Sequence, residues 1–296
     1  MSEVPESLEV KRISRDLFPY PLTELDGAPK SLYLRGRPFG PETRVAVVGT
    51  RRPSRLGREV AFEIARGLAA AGVAVVSGAA RGIDTAAHEG ALAQGGHTIA
   101  VLGSGIDVLF PRGNARLFER ILATGTVVSE YGPGEKAYPS RFPERNRIIA
   151  GMSSAVVLVE GAARSGTLST MRHALAAGIT VYALPGAVND PRAEVPLAAI
   201  RDGATLIRGV EDLLADLGLE DRRVLPDSPA LEPVQVAALD AVEGRVLPEA
   251  VARALDTEIP AAVGILMDLE IKGLVRSVGG RFERTRLAET CLRASV

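Results

Sequence analysis

The sequence predicts an α/β fold, in which a doubly wound, Rossmann-like parallel sheet precedes a small C-terminal winged-helix domain. Between residues 44 and 218, short β-branched runs alternate with helical stretches, and these runs are apolar on both faces, as strands buried in a parallel sheet are. Beyond residue 233 the rhythm changes to three short helices and a hairpin. The 296 residues suffice for two domains at about 150 residues each.

The elements follow in order along the chain. Residues 1–43 form an irregular lead-in segment, in which prolines interrupt any long helix. Six strands are then predicted, at Val45–Val48, Val73–Val76, Thr98–Val101, Thr126–Val128, Ala155–Val159 and Thr180–Ala183. The polar, proline-rich residues 219–233 indicate a linker. The last domain, 234–296, has predicted helices at 234–243, 248–255 and 260–272, followed by a hairpin that turns at Gly279-Gly280.

Composition excludes several classes of protein. The chain is 46% hydrophobic and 24% charged, as soluble globular proteins are. Its single cysteine, Cys291, excludes an internal disulfide and a cysteine-rich zinc site, and fits a reducing compartment. The N-terminus lacks the apolar core of a signal peptide, and no stretch reaches the roughly 18 apolar residues of a membrane span. We therefore expect a cytoplasmic protein with no membrane partner.

The net charge of −1 argues against a globally basic nucleic-acid binder, but the charge is unevenly distributed. Residues 44–58 contain no acid and five arginines, namely Arg44, Arg51, Arg52, Arg55 and Arg58. A second basic group, interleaved with aromatic residues, consists of Lys136, Tyr138, Arg141, Phe142, Arg145 and Arg147. Guanidinium groups match phosphates and an aromatic ring can stack a base, so both groups suit single-stranded nucleic acid. The alternative is a solvated basic face with Phe142 in the core.

Four glycine-rich turns directly follow predicted strands, at 49–54, 77–84, 102–105 and 160–167. The carboxyl ends of parallel strands meet on one rim, where exposed backbone N–H groups and helix N-termini suit phosphate. The alternative is that glycine merely permits a tight turn. Neither a dinucleotide fingerprint nor a P-loop is complete, since 103–108 lacks the third glycine and 161–167 lacks the lysine.

The sequence contains no recognisable catalytic constellation, so we predict no enzymatic activity, no metal and no cofactor. His88, His97 and His173 are scattered without metal-ligand spacing, and His88 is expected to have a packing role. Asp84 begins a helix after a glycine turn and is interpreted as an N-cap or as a polar group in the pocket.

Seven segments of the sequence resemble the DprA/Smf family of DNA-processing proteins. The resemblance rests on VAVVGTRRPS, SGAARGIDTAAHEGAL, TIAVLGSGIDVLFPRGN, SEYGPG, FPERNRIIAGMS, VVLVEGAARSGTLSTMRHAL and VYALPG, in this order. It covers residues 17–210 and, more loosely, 234–286. It implies an extended Rossmann fold, single-stranded DNA binding without catalysis, a homodimer, and loading of RecA recombinase in natural transformation and recombination.

The resemblance also implies a DNA-binding site. Its residues would be Gly49, Thr50, Arg51, Arg52, Ser77, Gly78, Gly82, Arg141, Phe142, Arg145, Asn146, Arg147, Ser165, Gly166 and Thr167. Arg51 would clamp a phosphate, the basic residues around Phe142 would bind further phosphates, and Phe142 would stack a base. The chain departs from the family after Pro185-Gly186, where residues 189–196 replace the usual Ser-x-Gly-x-Asn stretch.

The tail is acidic, with eight basic and eleven acidic residues between 225 and 296. Its candidate recognition helix, 260–272, carries Asp268 and Glu270, whereas a helix that reads the major groove is normally basic. Only the hairpin has a positive net charge, with Lys272, Arg276, Arg281, Arg284 and Arg286 against Glu283. We predict a module for protein interaction or dimer support, with contacts of the hairpin to the DNA backbone as the alternative.

Two other functions stay open. The first is a phosphoribohydrolase resembling the LOG-type enzymes, whose signature is Pro-Gly-Gly-x-Gly-Thr-x-x-Glu. Here Thr170 stands where the catalytic glutamate should be, which leaves no obvious group to stabilise an oxocarbenium-like transition state. The second is a plain module that binds mononucleotides.

Overall fold

The computed structural model describes residues 9–25, 27–163, 165–219 and 231–285. The chain divides into two compact units, residues 1–224 and residues 225–296. Most of the predicted linker (220–230), together with Arg286 and Cys291, lies outside the described residues. The predicted domain limits therefore stay a prediction.

Nine strands of the first unit form one sheet within the described ranges. They are β1 (Lys11–Ser14), β2 (Ser31–Gly36), β3 (Arg44–Val48), β4 (Ala74–Ser77), β5 (Thr98–Leu102), β6 (Thr126–Ser129), β7 (Ala155–Leu158), β8 (Thr180–Ala183) and β9 (Thr205–Leu206). The order across the sheet is β1-β2-β6-β5-β4-β3-β7-β8-β9. In this order, the seven strands β6-β5-β4-β3-β7-β8-β9 all pair in parallel with their neighbours. Strand β2 pairs antiparallel with both β1 and β6. The predicted α/β class and all six predicted strands are confirmed.

Helices cover both faces of this sheet. The α-helices described in the first unit are α1 (Arg55–Ala70), α2 (Ile83–Ala93), α3 (Ala115–Thr124), α4 (Arg141–Gly151), α5 (Gly166–Ala176), α6 (Glu194–Arg201) and α7 (Val210–Asp216). Short 3-10 turns lie at Arg15–Leu17, Leu22–Glu24, Arg112–Asn114 and Pro191–Ala193. Strand β3 shows why the sheet is doubly wound. Val45 and Val47 pack on the α1 side with Ile64, whereas Ala46 and Val48 pack on the α4 side with Ile148.

The prediction that residues 1–43 are irregular is wrong in part, because this segment contains the strands β1 and β2. Strand β2 pairs antiparallel with β6, and β1 pairs antiparallel with β2. Leu32 and Leu34 of β2 are buried, but this alternation is only a few residues long and is flanked by prolines, so it is a weak local signal. Pairing with β6 stabilises the strand, and that pairing is a tertiary effect.

The second unit contains three described helices and one hairpin. They are α8 (Pro233–Ala241), α9 (Pro248–Ala254), α10 (Ile259–Ile271), β10 (Val275–Val278) and β11 (Arg281–Arg284). Gly279 and Gly280 have φ values of +60° and +76°, which a tight hairpin turn requires. Leu239, Val251 and Leu266 belong to the core of this unit. The elements lie where the sequence predicts them, and the assignment as a winged helix stays a prediction.

The order of the strands along the chain reverses at β3, which pairs in parallel with β4 on one side and with β7 on the other. Ligands of open α/β sheets bind outside the carboxyl ends of the strands at such a switch point. The backbone N–H of Thr50, just after β3, donates a 2.7 Å hydrogen bond to the carbonyl of Glu160, just after β7. Among the described helices, none combines the length and hydropathy needed to cross a bilayer.

Candidate functional site

A cavity of about 620 Å³ opens at this switch point. Ten predicted site residues line it, namely Gly49, Thr50, Arg51, Arg52, Phe142, Arg145, Asn146, Ser165, Gly166 and Thr167. Three segments contribute them, namely the turn after β3, the helix α4 and the start of α5, so the fold brings together groups that lie more than 100 residues apart. We call this space the first cavity.

Glu160 fixes the turn that carries Arg51 and Arg52. Its carboxylate accepts hydrogen bonds from the backbone N–H of Ser54 (2.9 Å) and from the Ser54 hydroxyl (2.5 Å). The Ser54 oxygen in turn accepts from the N–H of Gly57 and so caps α1. A Cβ at Gly57 would lie 2.4 Å from Cδ of Glu160, so a side chain there would displace this carboxylate. No local pattern in the sequence indicates this role of Glu160.

The side chains of Arg51 and Arg52 are exposed and form no ion pair within the described part of the chain. Cζ of Arg51 lies 5.4 Å from the ring centroid of Phe142, a cation–π distance. The ring of Phe110 lies 5.6 Å from the same ring, tilted by 38°. Phe110 is 43% exposed and lines the first cavity, although the sequence analysis did not select it. The sequence feature that indicates Phe110 is its position after the glycine-rich turn 102–105, beside Pro111 and Arg112.

Arg141 and Arg147 are already paired with carboxylates. Arg141 donates to Glu135 at 2.7 Å, and its guanidinium lies 3.9 Å from the ring centroid of Tyr131 and 5.1 Å from that of Tyr138. Arg147 donates to both oxygens of Glu130, at 2.7 and 2.6 Å. Neither residue lines the first cavity. These contacts attach α4 to the segment 130–135, and the carboxylates partly neutralise the charge of both arginines.

Arg145 lines the first cavity but is only 4% exposed, and its contact with a phosphate stays a prediction. Its guanidinium donates to the carbonyls of Gly78 (2.7 Å) and Val101, at the carboxyl ends of two strands. Burial lowers its pKa to about 10, and neighbouring Asp84 counteracts that shift. Burial likewise raises the pKa of Asp84, against the influence of Arg145. Arg145 thus ties the carboxyl ends of two strands together, and it also lines the first cavity.

Asp84 is not the N-cap, because that position belongs to Gly82. The carboxylate lies in the first turn of α2, accepts from the N–H of Ala80 at 3.3 Å and lines the first cavity. Of the two earlier interpretations, a polar group in the pocket is therefore the one that fits.

Ser77 and Gly82 shape the rim without lining the first cavity. Ser77 is fully buried and donates to the carbonyl of Val47 at 2.7 Å, and its contact with DNA stays a prediction. Gly82 has φ +90°, and a Cβ there would lie 2.4 Å from the carbonyl oxygen of Thr50. Its contribution is close packing of two turns.

The N-terminus of α5 forms the opposite wall of the first cavity. Its first turn, at Gly166 and Thr167, contains no acidic residue, and Asn146 donates to the Gly166 carbonyl at 3.1 Å. The buried Oγ of Ser165 has no hydrogen-bond partner in the described structure. A helix N-terminus with free donors of this kind suits an anion.

His88, His97 and His173 do not line the first cavity. His97 lies at the amino end of β5, the far edge of the sheet, and contacts Glu42 and Thr126. His88 is buried against Thr98. Within the described ranges, His, Cys, Asp and Glu form no cluster of three that could hold a metal ion.

The model of a family described as DNA recombination-mediator protein A matches residues 9–218. The chain is 42% identical over 202 residues to DNA processing protein DprA of Streptococcus pneumoniae, which covers 68% of this chain and 71% of that protein. It is 37% identical over 285 residues to Protein Smf of Escherichia coli, covering 92% and 76% of the two chains.

Two solved structures are similar as well. The X-ray structure of DprA from Streptococcus pneumoniae has a TM-score of 0.66 at 40% identity, covering 71% of this chain and 75% of that one. The structure of DNA processing protein A from Helicobacter pylori, described for its single-stranded DNA binding mode, has a TM-score of 0.64 at 26% identity, covering 72% and 97%.

Proposed function

The chain belongs to the DNA recombination-mediator protein A family, and on that premise we propose that it binds single-stranded DNA without sequence preference and without catalysis. We further propose that it protects the strand and loads RecA recombinase on it, as a homodimer in the cytoplasm. The observation that carries the binding proposal is the group formed by Arg51, Arg52, Phe110 and Phe142 at the mouth of the first cavity.

Each part of this group suits a feature that all nucleotides share. The two arginines match phosphates, and the exposed ring of Phe110 and the partly exposed ring of Phe142 offer apolar faces to bases. The N-terminus of α5 supplies further donors for an anion. Because stacking and phosphate contacts do not read base edges, such a site binds any sequence. The Helicobacter pylori relative, described as binding single-stranded DNA, supports the same reading.

The geometry at Thr170 supports a non-catalytic role. Its hydroxyl donates to the carbonyl of Gly166 at 3.3 Å, so this position contributes an internal hydrogen bond of α5 rather than a catalytic carboxylate. In the described part of the chain, Asp84 is the one carboxylic acid that lines the first cavity, and Arg145 shares its buried surroundings. These observations disfavour the phosphoribohydrolase alternative.

The binding proposal is tested by fluorescence anisotropy with single-stranded and duplex oligonucleotides over a salt series. We expect tighter binding to single strands, similar affinities for different sequences, and an affinity that falls steeply with salt because bound phosphates release counterions. Tight mononucleotide binding with no preference for oligonucleotides would instead indicate the mononucleotide module. Release of free base from a nucleoside monophosphate would indicate the enzyme.

RecA loading is tested separately, by DNA-dependent ATP hydrolysis of RecA on strands already covered by a single-strand-binding protein. The proposal expects this chain to shorten the lag before hydrolysis begins. An unchanged lag, with strand binding intact, would remove the loading role and leave the binding role.

A further inference from the structure

A second cavity of about 590 Å³ lies beside the first. The aromatic pair lines both cavities, and the residues common to the two linings are Arg51, Arg52, Ala80, Phe110, Phe142 and Arg145. The remaining walls of the second cavity come from the turn before α2, which contributes Gly78 and Arg81, and from the segment Pro111–Gly113.

Positive charge dominates the second cavity. Five arginines line it, and its described lining includes no carboxylate. Arg81 and Arg112 are exposed, line the second cavity but not the first, and make no ion pair in the described part of the chain. Arg145 is the exception, because it is buried and bonded to backbone carbonyls. Unpaired guanidinium groups around a concave surface favour an anionic ligand.

Hydrogen bonds hold this wall in place before any ligand arrives. Nδ2 of Asn114 donates to the carbonyl of Ala79 (3.0 Å) and to the hydroxyl of Thr85 (2.9 Å), and that hydroxyl donates to the carbonyl of Ala80 (2.8 Å). The segment with Arg112 is thereby tied to the turn with Arg81. Nη2 of Arg81 lies 3.9 Å from the Cβ position of Gly113, which places the two arginine-bearing segments close together. Preorganisation of this kind lowers the entropic cost of binding.

We propose that the second cavity holds the nucleotide adjacent to the one bound in the first cavity, with Arg81 and Arg112 on its phosphates and Phe110 against its base. The inference rests on the proposed function, which it extends from one nucleotide to two consecutive ones. The volume falls within the range of about 300–1,000 Å³ that is usual for small-ligand sites. The exposed ring of Phe110 favours a nucleotide over a free inorganic anion, because a simple anion gains nothing from an aromatic face.

The test uses the full chain with the double substitution Arg81→Ala/Arg112→Ala and a 12-residue oligothymidylate. The matched control is Arg120→Ala/Arg201→Ala, which removes two exposed arginines that line neither cavity. We expect the first variant to lose about tenfold or more in affinity, and the slope of log affinity against log salt to shrink by about 1.4, at about 0.7 per lost phosphate contact. The control should keep the wild-type slope.

Other outcomes separate the two proposals. If the wild-type chain prefers single strands but the Arg81→Ala/Arg112→Ala variant matches the control, the second cavity is not a subsite and the proposed function stands. An equal loss in both variants would also overturn the subsite, because only overall charge would matter. If the wild-type chain shows no preference for single strands, the proposed function itself fails. The variant Arg81→Lys/Arg112→Lys, which keeps the charges, should recover part of the affinity and so excludes misfolding as the cause.

Discussion

The guanidinium of Arg51 lies over the ring of Phe142, with Cζ 5.4 Å from the ring centroid. The turn after β3 and the start of α4 therefore meet across the first cavity through one cation–π contact. A base that stacks on this face of Phe142 would displace the guanidinium, which would then be free to contact the phosphate of that base. Substitution of Phe142 therefore tests base stacking, and substitution of Arg51 tests phosphate binding.

Replacing Phe142 with alanine should weaken binding of single-stranded DNA by about 1–3 kcal/mol, the usual value of one base–aromatic stack. Phe142→Tyr keeps the ring and should bind within about twofold of wild type. Fluorescence anisotropy with a labelled oligothymidylate measures both. Equal affinities of the alanine variant and the wild type would show that Phe142 is only a packing residue.

Replacing Arg51 with alanine should weaken binding of every single-stranded sequence alike, by about 1–3 kcal/mol for a charge-assisted contact. The salt slope should fall by about 0.7, because one phosphate contact is lost. Arg55→Ala is the control, since Arg55 is exposed on the same segment but pairs with Glu59 and lines neither cavity. A sequence-dependent loss would indicate base recognition, and unchanged affinity would remove Arg51 from the site.

Replacing Glu160 with glutamine should weaken DNA binding by about 1 kcal/mol, or roughly fivefold, because the turn carrying Arg51 and Arg52 loses its anchor at Ser54. Electrostatics alone predict the opposite, since removal of a negative charge beside the site favours an anionic ligand. Glu59→Gln removes the same charge from the exposed surface of α1 and serves as the control. Stronger binding of Glu160→Gln in an anisotropy titration would contradict the positioning role.

The central strands could be predicted from the sequence because each is a continuous apolar run, and burial on both faces leaves little freedom in its placement. Strand β2 has only a weak local signal, because its place between β1 and β6 depends on pairing with those two strands. The arginines likewise combine a feature that the sequence predicts with one that only tertiary contacts decide. Their clustering in the sequence indicates a basic rim, but whether a guanidinium is free depends on which carboxylates the fold places beside it.

Arg147 and Arg81 illustrate that limit. Arg147 was selected from the motif, yet Glu130, 17 residues away, occupies its guanidinium through two hydrogen bonds. Arg81 was not selected, yet it is exposed beside the aromatic pair. Neither environment has a local sequence signal, because both partners arrive from other turns of the sheet.

His88 should make stability depend on pH. The single hydroxyl hydrogen of Thr98 goes to the carbonyl of Val75 (3.0 Å), so Nδ1 of His88 is the donor to that hydroxyl at 2.7 Å. Its Nε2 is buried without a hydrogen-bond partner in the described structure. Burial, followed by the charge of Arg145, lowers the pKa of His88 from 6.5 to about 3. The imidazole is therefore neutral in the folded chain.

The direction of this pH dependence follows from the number of protons bound by the folded and the unfolded chain. Between pH 6.5 and about pH 3 the unfolded chain binds the His88 proton and the folded chain does not, so the stabilising contribution is complete above pH 6.5 and is lost as pH falls. The loss amounts to about 1.4 kcal/mol per pH unit. Urea unfolding of the wild type and of His88→Gln at several pH values measures the difference, and the variant should show a shallower decline. Parallel declines in the two proteins would contradict the assignment.

Removal of residues 225–296 should leave single-stranded DNA affinity within about threefold of the full chain, because the described residues that line both cavities belong to the first unit. The deleted segment carries eight basic and eleven acidic residues, so its loss does not remove net positive charge. Anisotropy titrations of both chains at matched salt make the comparison, and thermal unfolding checks that the shortened chain is folded. Retained binding together with lost RecA loading would indicate that the tail contacts a protein partner. Loss of strand binding by a folded, shortened chain would instead show that the site does not reside in the first unit alone.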